Sequence, residues 1–475
     1  MSKRHEDENS AALALAQWVA STPGAALPER AIAQARLLVL DTLGCGVAGV
    51  NEEASQAILG MVDDLGGAPT CTVIGQQKRT NILNAVLANG ALIRVLDLND
   101  YIGGSGGGPD MGGHPSDNIP VALAVGEAMG SSGREILEAI VLGYEIFGRL
   151  KNARSPNRVW DDVTISGIVA PAMAGRLMRL DRERLAHAIA FGASRAATPS
   201  IVRAGHVSSA KSIANALVAQ SGVQGALLAA RGATGPLAIL ESEHGLRDLF
   251  TGALANMLCE PVPATPNILR ASIKMYPCLA TGQAAVAAAL KLHEMTRGDI
   301  AGFGRIEVAM ADYPIVKRQQ NDAARRRPQT REAADHSFNF LVAVSLLDGE
   351  FGLRQFENDR WLDPEVVGLM DRFVMTTDPD LGARASGAYP CALRVTTSEG
   401  KNLVSEIGYP PGFARDGLQE ADVVGKFQAI TAPHLAAEQR DRIIAAALRL
   451  DRSDAIDELM SAVRIESGHA KIGTA

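Results

Sequence analysis

Residues 391–407, CALRVTTSEGKNLVSEI, alternate apolar and polar side chains in two runs joined at Glu399-Gly400. Alternation of period two marks half-buried strands, and glycine between two such runs marks a hairpin turn. RIEVAM at 305–310 alternates in the same way. These runs stand out because most of the chain keeps another period. In REILEAIVLGYEIFGRL (134–150), Leu137, Ile140, Val141, Tyr144 and Phe147 fall at helical intervals and paint one face. AALALAQWV (11–19), ERAIAQARLLVLDTL (29–43) and ANALVAQSGVQGALLAA (214–230) do likewise, and helical spacing returns after Asp422 in DRIIAAALRL and AIDELMSAV. The spacing predicts a mainly α protein. A large all-helical domain is assembled from 1–265 and 411–475, and a smaller α+β domain, 266–410, is inserted between them.

With 475 residues the chain exceeds what one hydrophobic core usually holds, which agrees with two units. Hydrophobic residues at 47% and charged residues at 21% exclude a disordered chain. Lys plus Arg total 46 against 53 Asp plus Glu, with no dense basic run, so no nucleic-acid partner is expected. The opening MSKRHEDENS lacks the pattern of a signal peptide, and no window is expected to span a bilayer; the sequence reads as cytoplasmic, without a membrane partner. Cys45, Cys71, Cys259, Cys278 and Cys391 are odd in number and widely spread, and the nine histidines show no H-E-x-x-H. Neither a disulfide framework nor a metal site is expected, and no cofactor is implied.

GCGVAG (44–49) matches G-x-G-x-x-G, with Asp63 and Asp64 at about the distance of a ribose-binding acid. A dinucleotide fingerprint must follow a strand, whereas residues 31–43 carry a helical stripe. Glycines that let two helices approach closely are the better account, which disfavours a nicotinamide oxidoreductase.

The stretch that points to chemistry is LDLNDYIGGSGGGPDMGGHPSDN (96–118). It sets Asp97 and Asp100 before a glycine cluster and His114, Ser116, Asp117 and Asn118 after it. The bland reading is a surface loop followed by helix N-caps. The chemical one notes that Pro115 biases His114 toward extended backbone and that carboxylates stand near to orient it. A histidine so held suits a general acid or base. Farther on, Lys211 lies inside an apolar helical stretch with His206 just before it, so a buried ammonium competes with the usual solvated lysine. IKMYPC supplies Lys274 and Tyr276 before a proline, and two lysines could face an anionic ligand. In RRRPQTREAADHSFNF, Thr330 reads as an N-cap, His336 sits about two turns on near a carboxylate-favouring helix start, and Arg325 to Arg327 read as a solvated charge run.

Taken in order, DTLGCGVAG, LDLNDY with GHPSDN, LGYEIFGRL, WDDVT, SSAKSIANA with GATGP, IKMYPC and RPQTREAADHSFNFLVAVSLLDG resemble the MmgE/PrpD family over nearly the whole chain. That family contains bacterial 2-methylcitrate dehydratases, cis-aconitate decarboxylases and an iminodisuccinate epimerase. The resemblance implies a metal-free homodimer with a helical domain, an inserted α+β lid and an active site between them. Carried over, it implies that Asp97, Tyr101, His114, Lys211 and Lys274 line the pocket, joined by Asp161, Tyr276 and His336 as substrate-binding residues. Three positions depart from the pattern: Asp162 replaces a frequent His, Leu279 to Thr281 replace a more polar stretch, and Phe340 replaces a common Tyr.

The resemblance implies a cofactor-independent hydro-lyase acting on a 2-methylcitrate-like hydroxy di- or tricarboxylate, as in propionate catabolism. Lys211 and Lys274 would stabilise charge that develops on a carboxylate. His114, oriented by Asp97, would move a proton, and Tyr101 would help position it. Whether His114 serves carbon or the departing hydroxyl is left open. Decarboxylation of cis-aconitate and epimerisation of a dicarboxylate are the alternatives on the same scaffold; a non-catalytic carboxylate-binding protein is the alternative of another class.

Overall fold

The helix Glu29–Ala48 is buried almost all round, so its lack of a polar stripe reflects a place in the interior. It packs against Ile82–Arg94, Gly133–Asn152 and, from the far end of the chain, Glu420–Thr431. The computed structural model describes residues 10–103, 113–155, 159–203, 207–385 and 388–465. Helix accounts for 60% and strand for 9%, so the protein is mainly α. His206 and most of the glycine cluster lie outside the described residues.

Two helices correct one expectation. Glu29–Ala48 and Ala210–Ala230 are long and apolar enough to cross a membrane, with mean hydropathies of 1.4 and 1.3. Their apolar windows are 89% and 56% buried inside the fold. Protein neighbours, chiefly helices Arg182–Ser194, Ser166–Leu177 and Ile82–Arg94, cover the second of them.

Helix Gly133–Asn152 starts at a capping box in which Ser132 accepts from the Glu135 amide and the Glu135 carboxylate accepts from the Ser132 amide. The face expected from 137 to 147 is buried, and so are the residues between except half-buried Glu138, so this helix too crosses the interior. GCGVAG occupies the last turns of the 29–48 helix, not a strand-to-helix turn. A Cβ on Gly46 would meet Ile74 Cδ1 at 2.9 Å, and one on Gly49 would meet the Leu92 carbonyl oxygen at 2.4 Å. Gly49 lets the two helices touch, and Gly46 makes room for Ile74 of a turn and for Ile93 of the neighbouring helix.

The alternating runs form a four-stranded sheet in the order Phe373–Thr377, Phe303–Met310, Cys391–Thr397, Asn402–Ile407. The last two pair antiparallel, Leu393 opposite Ser405, around a turn in which Gly400 has φ +78. Phe373–Thr377 joins parallel to Phe303–Met310. Helix Gln283–Thr296 packs on this sheet and on helix Phe338–Asp348. Buried side chains fall into two main clusters. One draws on residues between 11 and 273 and again between 423 and 463. The other runs from Cys278 to Val395 and takes in Tyr101. Both chain ends thus share one core.

If the 29–48 and 82–94 helices touch through bare backbone, Gly49→Ala should lower the melting temperature by the overpacking cost of about 1–3 kcal/mol. Circular dichroism melting that leaves the variant equal to the parent would contradict that contact.

Candidate active site

Helix Ile82–Arg94 ends just before the acidic stretch, and Asp97 then takes a left-handed φ of +50. Such a conformation is uncommon outside glycine, though aspartate tolerates it better than most. Three contacts hold it. The Asp97 amide donates to the Arg94 carbonyl at 3.1 Å, and Lys274 Nζ donates to the Asp97 carbonyl at 2.9 Å and to its carboxylate at 2.7 Å. One residue on, Lys426 Nζ donates to the Leu98 carbonyl at 2.7 Å while pairing with buried Asp41 at 2.6 Å.

Polar side chains then sew the two flanks of the glycine cluster together. Asn99 donates to Ser116 Oγ at 2.9 Å and Asp117 Oδ1 at 2.8 Å. The Asp100 carboxylate accepts from the Ser116 amide at 3.2 Å and from the Tyr144 hydroxyl at 2.8 Å. Burial pushes Asp100 up to about 7 against these hydrogen bonds. Asn118 makes no side-chain cap and donates instead to Ser166 Oγ at 3.0 Å, so this segment is a junction and not a capping motif.

Asp97 lies in a cage of cations. Arg94 pairs with it closely, Lys274 lies at 2.7 Å and Lys211 at 3.4 Å, all of them buried. Lys211 also reaches Asp335 at 3.2 Å, and His336 Nδ1 bonds the same Asp335. Burial alone would raise both carboxylates. For Asp97, Arg94, Lys211 and Lys274 outweigh it and hold the group well below the usual range; for Asp335, Lys211 and the hydrogen bond with His336 outweigh it and lower the group. Burial draws Lys274 down despite Asp97, and burial with nearby Lys211 lowers His336 to about 4. Arg94 also reaches buried Asp117 at 3.6 Å, so the cage is an ordered set of three cations and three carboxylates.

The expected orientation of His114 by Asp97 is not what forms. His114 Nδ1 lies 2.6 Å from the Asp100 carbonyl oxygen, and Asp97 is committed to its cations. A carbonyl only accepts, which assigns the proton of the neutral ring to Nδ1 and leaves Nε2 with a lone pair. Burial, then Arg94 and Lys274, keep the ring's pKa well below its ordinary value, so it is neutral near pH 7.

His114, Asp97, Asp161, Lys274 and His336 border a cavity of about 340 Å³ lined from both cores. Lys211 stands one layer behind, reaching the cavity through Asp97 and His336; its ammonium is turned to carboxylates, not to open space. Tyr101 and Tyr276 do not border it. Tyr101 is buried where its strand pairs with Ala271–Ser272, and Tyr276 packs edge-on against Phe351 at 6.4 Å. Asp161 caps the turn Asp162–Ile165 and binds Arg203 Nε at 2.7 Å. Of the departing positions, Asp162 and Leu279 to Thr281 line the cavity, with Asp162 clamped by Arg154 and by Lys151 at 2.7 Å. Phe340 lies away from it against Phe356 and Trp361.

Sequence reading missed the arginines. Arg94, Arg154, Arg203, Arg318 and Arg325 all border the cavity. Arg325 corrects the solvated charge run: it is buried, whereas Arg326 is exposed and Arg327 pairs with Asp371. Their partners lie far away in the chain or across a turn, which spacing alone does not reveal. The fold also gathers ligand atoms of Asp97, Asp335 and His336 within 4.8 Å, which no sequence motif announced. Lys211 and Lys274 already fill the anionic side of that trio, and a divalent cation would face two ammoniums at close range. The donor set does not suit a metal.

A profile of the MmgE/PrpD N-terminal domain matches residues 13–256, and one of the MmgE/PrpD C-terminal domain matches 276–452. The chain is 28% identical over 452 residues to a 2-methylcitrate dehydratase of Cupriavidus necator, covering 89% of this chain and 90% of the relative. It is 26% identical over 446 residues to a 2-methylcitrate dehydratase of Escherichia coli strain K12, covering 87% and 89%. It is 25% identical over 448 residues to a cis-aconitate decarboxylase of Mus musculus, covering 90% and 87%.

Lys211→Met would leave Asp97 and Asp335 short of a shared cation, and breaking a buried pair costs about 3–5 kcal/mol. A clearly lower melting temperature is expected, and an unchanged one would mean that Lys211 does not hold the cage. His336 gives a pH test. The folded chain keeps it neutral down to about 4, while the unfolded chain protonates it near 6.5. The folded state then binds fewer protons between those values, so this contribution to stability is lost as pH falls through that window. Asp100, raised to about 7, acts in the opposite sense. The readout is therefore a difference: His336→Gln should flatten the acid decline in melting temperature relative to the parent, and parallel curves would refute it.

Proposed function

The chain belongs to the MmgE/PrpD family, and we propose that it is a cofactor-independent lyase that removes water from a 2-methylcitrate-like hydroxy di- or tricarboxylate. One observation carries the chemistry: a neutral His114 whose Nδ1 is tied to the Asp100 carbonyl at 2.6 Å, in the wall of a cavity that Arg94 and Lys274 also line. Its Nε2 takes the proton from the carbon next to a carboxylate. The electron pair of that C–H bond becomes the new C=C bond, the C–O bond breaks, and the imidazolium returns the proton to the departing hydroxide as water. Charge that builds on the carboxylate during proton loss is met by Arg94 and Lys274, fixed beforehand by Asp97.

Lys211 acts in this reading as a positioning residue, and Asp97 as the anion that holds cations and not as the partner of the base. Asp161 keeps Arg203 at the wall, and His336 contributes a neutral donor or acceptor. Tyr101 and Tyr276 support the site from behind. We read the second core as a lid over the first, because residues of both line the one cavity, and closure would exclude water from the reacting carbon. A cytoplasmic homodimer without a nucleic-acid or membrane partner completes the proposal.

His114→Ala should lose about 10²- to 10⁴-fold in turnover while melting like the parent, the span typical of a general base. The parent is incubated, after chelator treatment, with hydroxy- and unsaturated di- and tricarboxylates in deuterated water. A conjugated double bond with loss of water supports the proposal. Carbon dioxide release would replace it with the decarboxylase reaction, deuterium uptake without net conversion with an epimerase, and tight binding without turnover with a carboxylate-binding role.

A further inference from the structure

The cage around Asp97 accounts for one wall of the cavity; further cations come from Arg318, on helix Pro314–Asn321, and Arg325, in the turn Ala323–Arg326. Arg325 is 5% exposed although it carries a full charge. Its guanidinium donates to the His336 carbonyl at 3.0 Å and its own carbonyl accepts from Ser337 Oγ, so both ends are fixed to the segment that carries Asp335 and His336. Asp322 is the carboxylate nearest to it, at 3.6 Å, too far for a hydrogen bond and partly open to solvent. Arg318 stands close enough to oppose Arg325 electrostatically, and burial together with that repulsion brings Arg325 down to about 10. The Arg325 guanidinium, rigidly held and with the Asp322 carboxylate 3.6 Å away, matches a planar carboxylate, and Arg318 adds positive charge beside it.

We propose that Arg325, reinforced by Arg318, is the subsite for a second carboxylate, remote from the carbon that loses its proton, and that it selects polycarboxylates over monocarboxylates. The inference rests on the reading of the cavity as a carboxylate site and names the residues that count the carboxylates. It also gives the second core a direct hold on the ligand: the anion that Arg325 binds is tied through the His336 carbonyl to the segment facing the cage.

Titration calorimetry on the full chain tests it with tricarballylate, a tricarboxylate without a hydroxyl to eliminate, and with butyrate as a one-carboxylate probe. Arg325→Met should weaken tricarballylate by about 10- to 100-fold, the range for hydrogen bonds to a charged group, and leave butyrate unchanged. Arg325→Lys, which keeps the charge and much of the volume, should show a smaller loss. Arg326→Met, one residue away and exposed, should bind both as the parent does. Equal tricarballylate affinity in parent and Arg325→Met would overturn the subsite, as would parallel loss of both ligands in folded variants. A parent that binds neither acid would overturn the carboxylate reading itself, and this inference with it.

Discussion

The carboxylate of Asp97 is the constraint on which the rest of the site depends. It is buried, and burial alone would make it a neutral acid; three cations from separate parts of the chain make it an anion. Arg94 comes from the last turn of one helix, Lys211 from the first turn of another, and Lys274 from the segment that leads into the second core. Lys211 then passes the attraction on to Asp335, which belongs to that second core's side. Each member is costly to bury alone, and together they fix the geometry because no member can leave without exposing another unpaired charge.

The same carboxylate explains the backbone around it. Asp97 adopts a conformation that costs energy in a non-glycine residue, and Lys274 rewards it by binding the carbonyl and the carboxylate of the same residue. Turning the chain there brings Asn99 and Asp100 beneath Ser116 and Asp117. His114 is therefore oriented by main chain, through the Asp100 carbonyl, and no carboxylate needs to touch it. A base oriented by a carbonyl stays neutral; one oriented by an ionised aspartate would have its protonated form favoured.

Periodicity made the helical body and the strands at 305–310 and 391–407 legible, because both signals are local. It also placed GCGVAG inside a helix, where Gly46 and Gly49 admit Ile74 and Leu92. It could not distinguish helices that are apolar because they are buried from helices that could cross a membrane, since both lack a polar face. The flanks of the glycine cluster, Lys274 and His336 announced themselves by residue type beside a proline or a cap. Arg325 did not: three consecutive arginines look like a solvated run, and only the third dimension buries the first against the His336 carbonyl and leaves the second outside. For Lys211 burial was one of two competing readings, and its partners were not legible, because the carboxylates it faces lie 114 and 124 residues away.

A buried ion cluster is a poor device for stability alone. Apolar side chains of equal volume often hold a protein together as well as a buried salt bridge or better, since they avoid the desolvation of charge. The cage must then be valued for what apolar packing lacks: a field fixed before any ligand arrives. Arg94 and Lys274 are held at the cavity wall, where water screens little, and need not reorganise when charge appears on a bound acid. Removing Asp97 would add positive charge but release Arg94 and Lys274 from their positions, trading a directed field for a stronger, undirected one. The carboxylate that occupies two cations is what keeps them aimed.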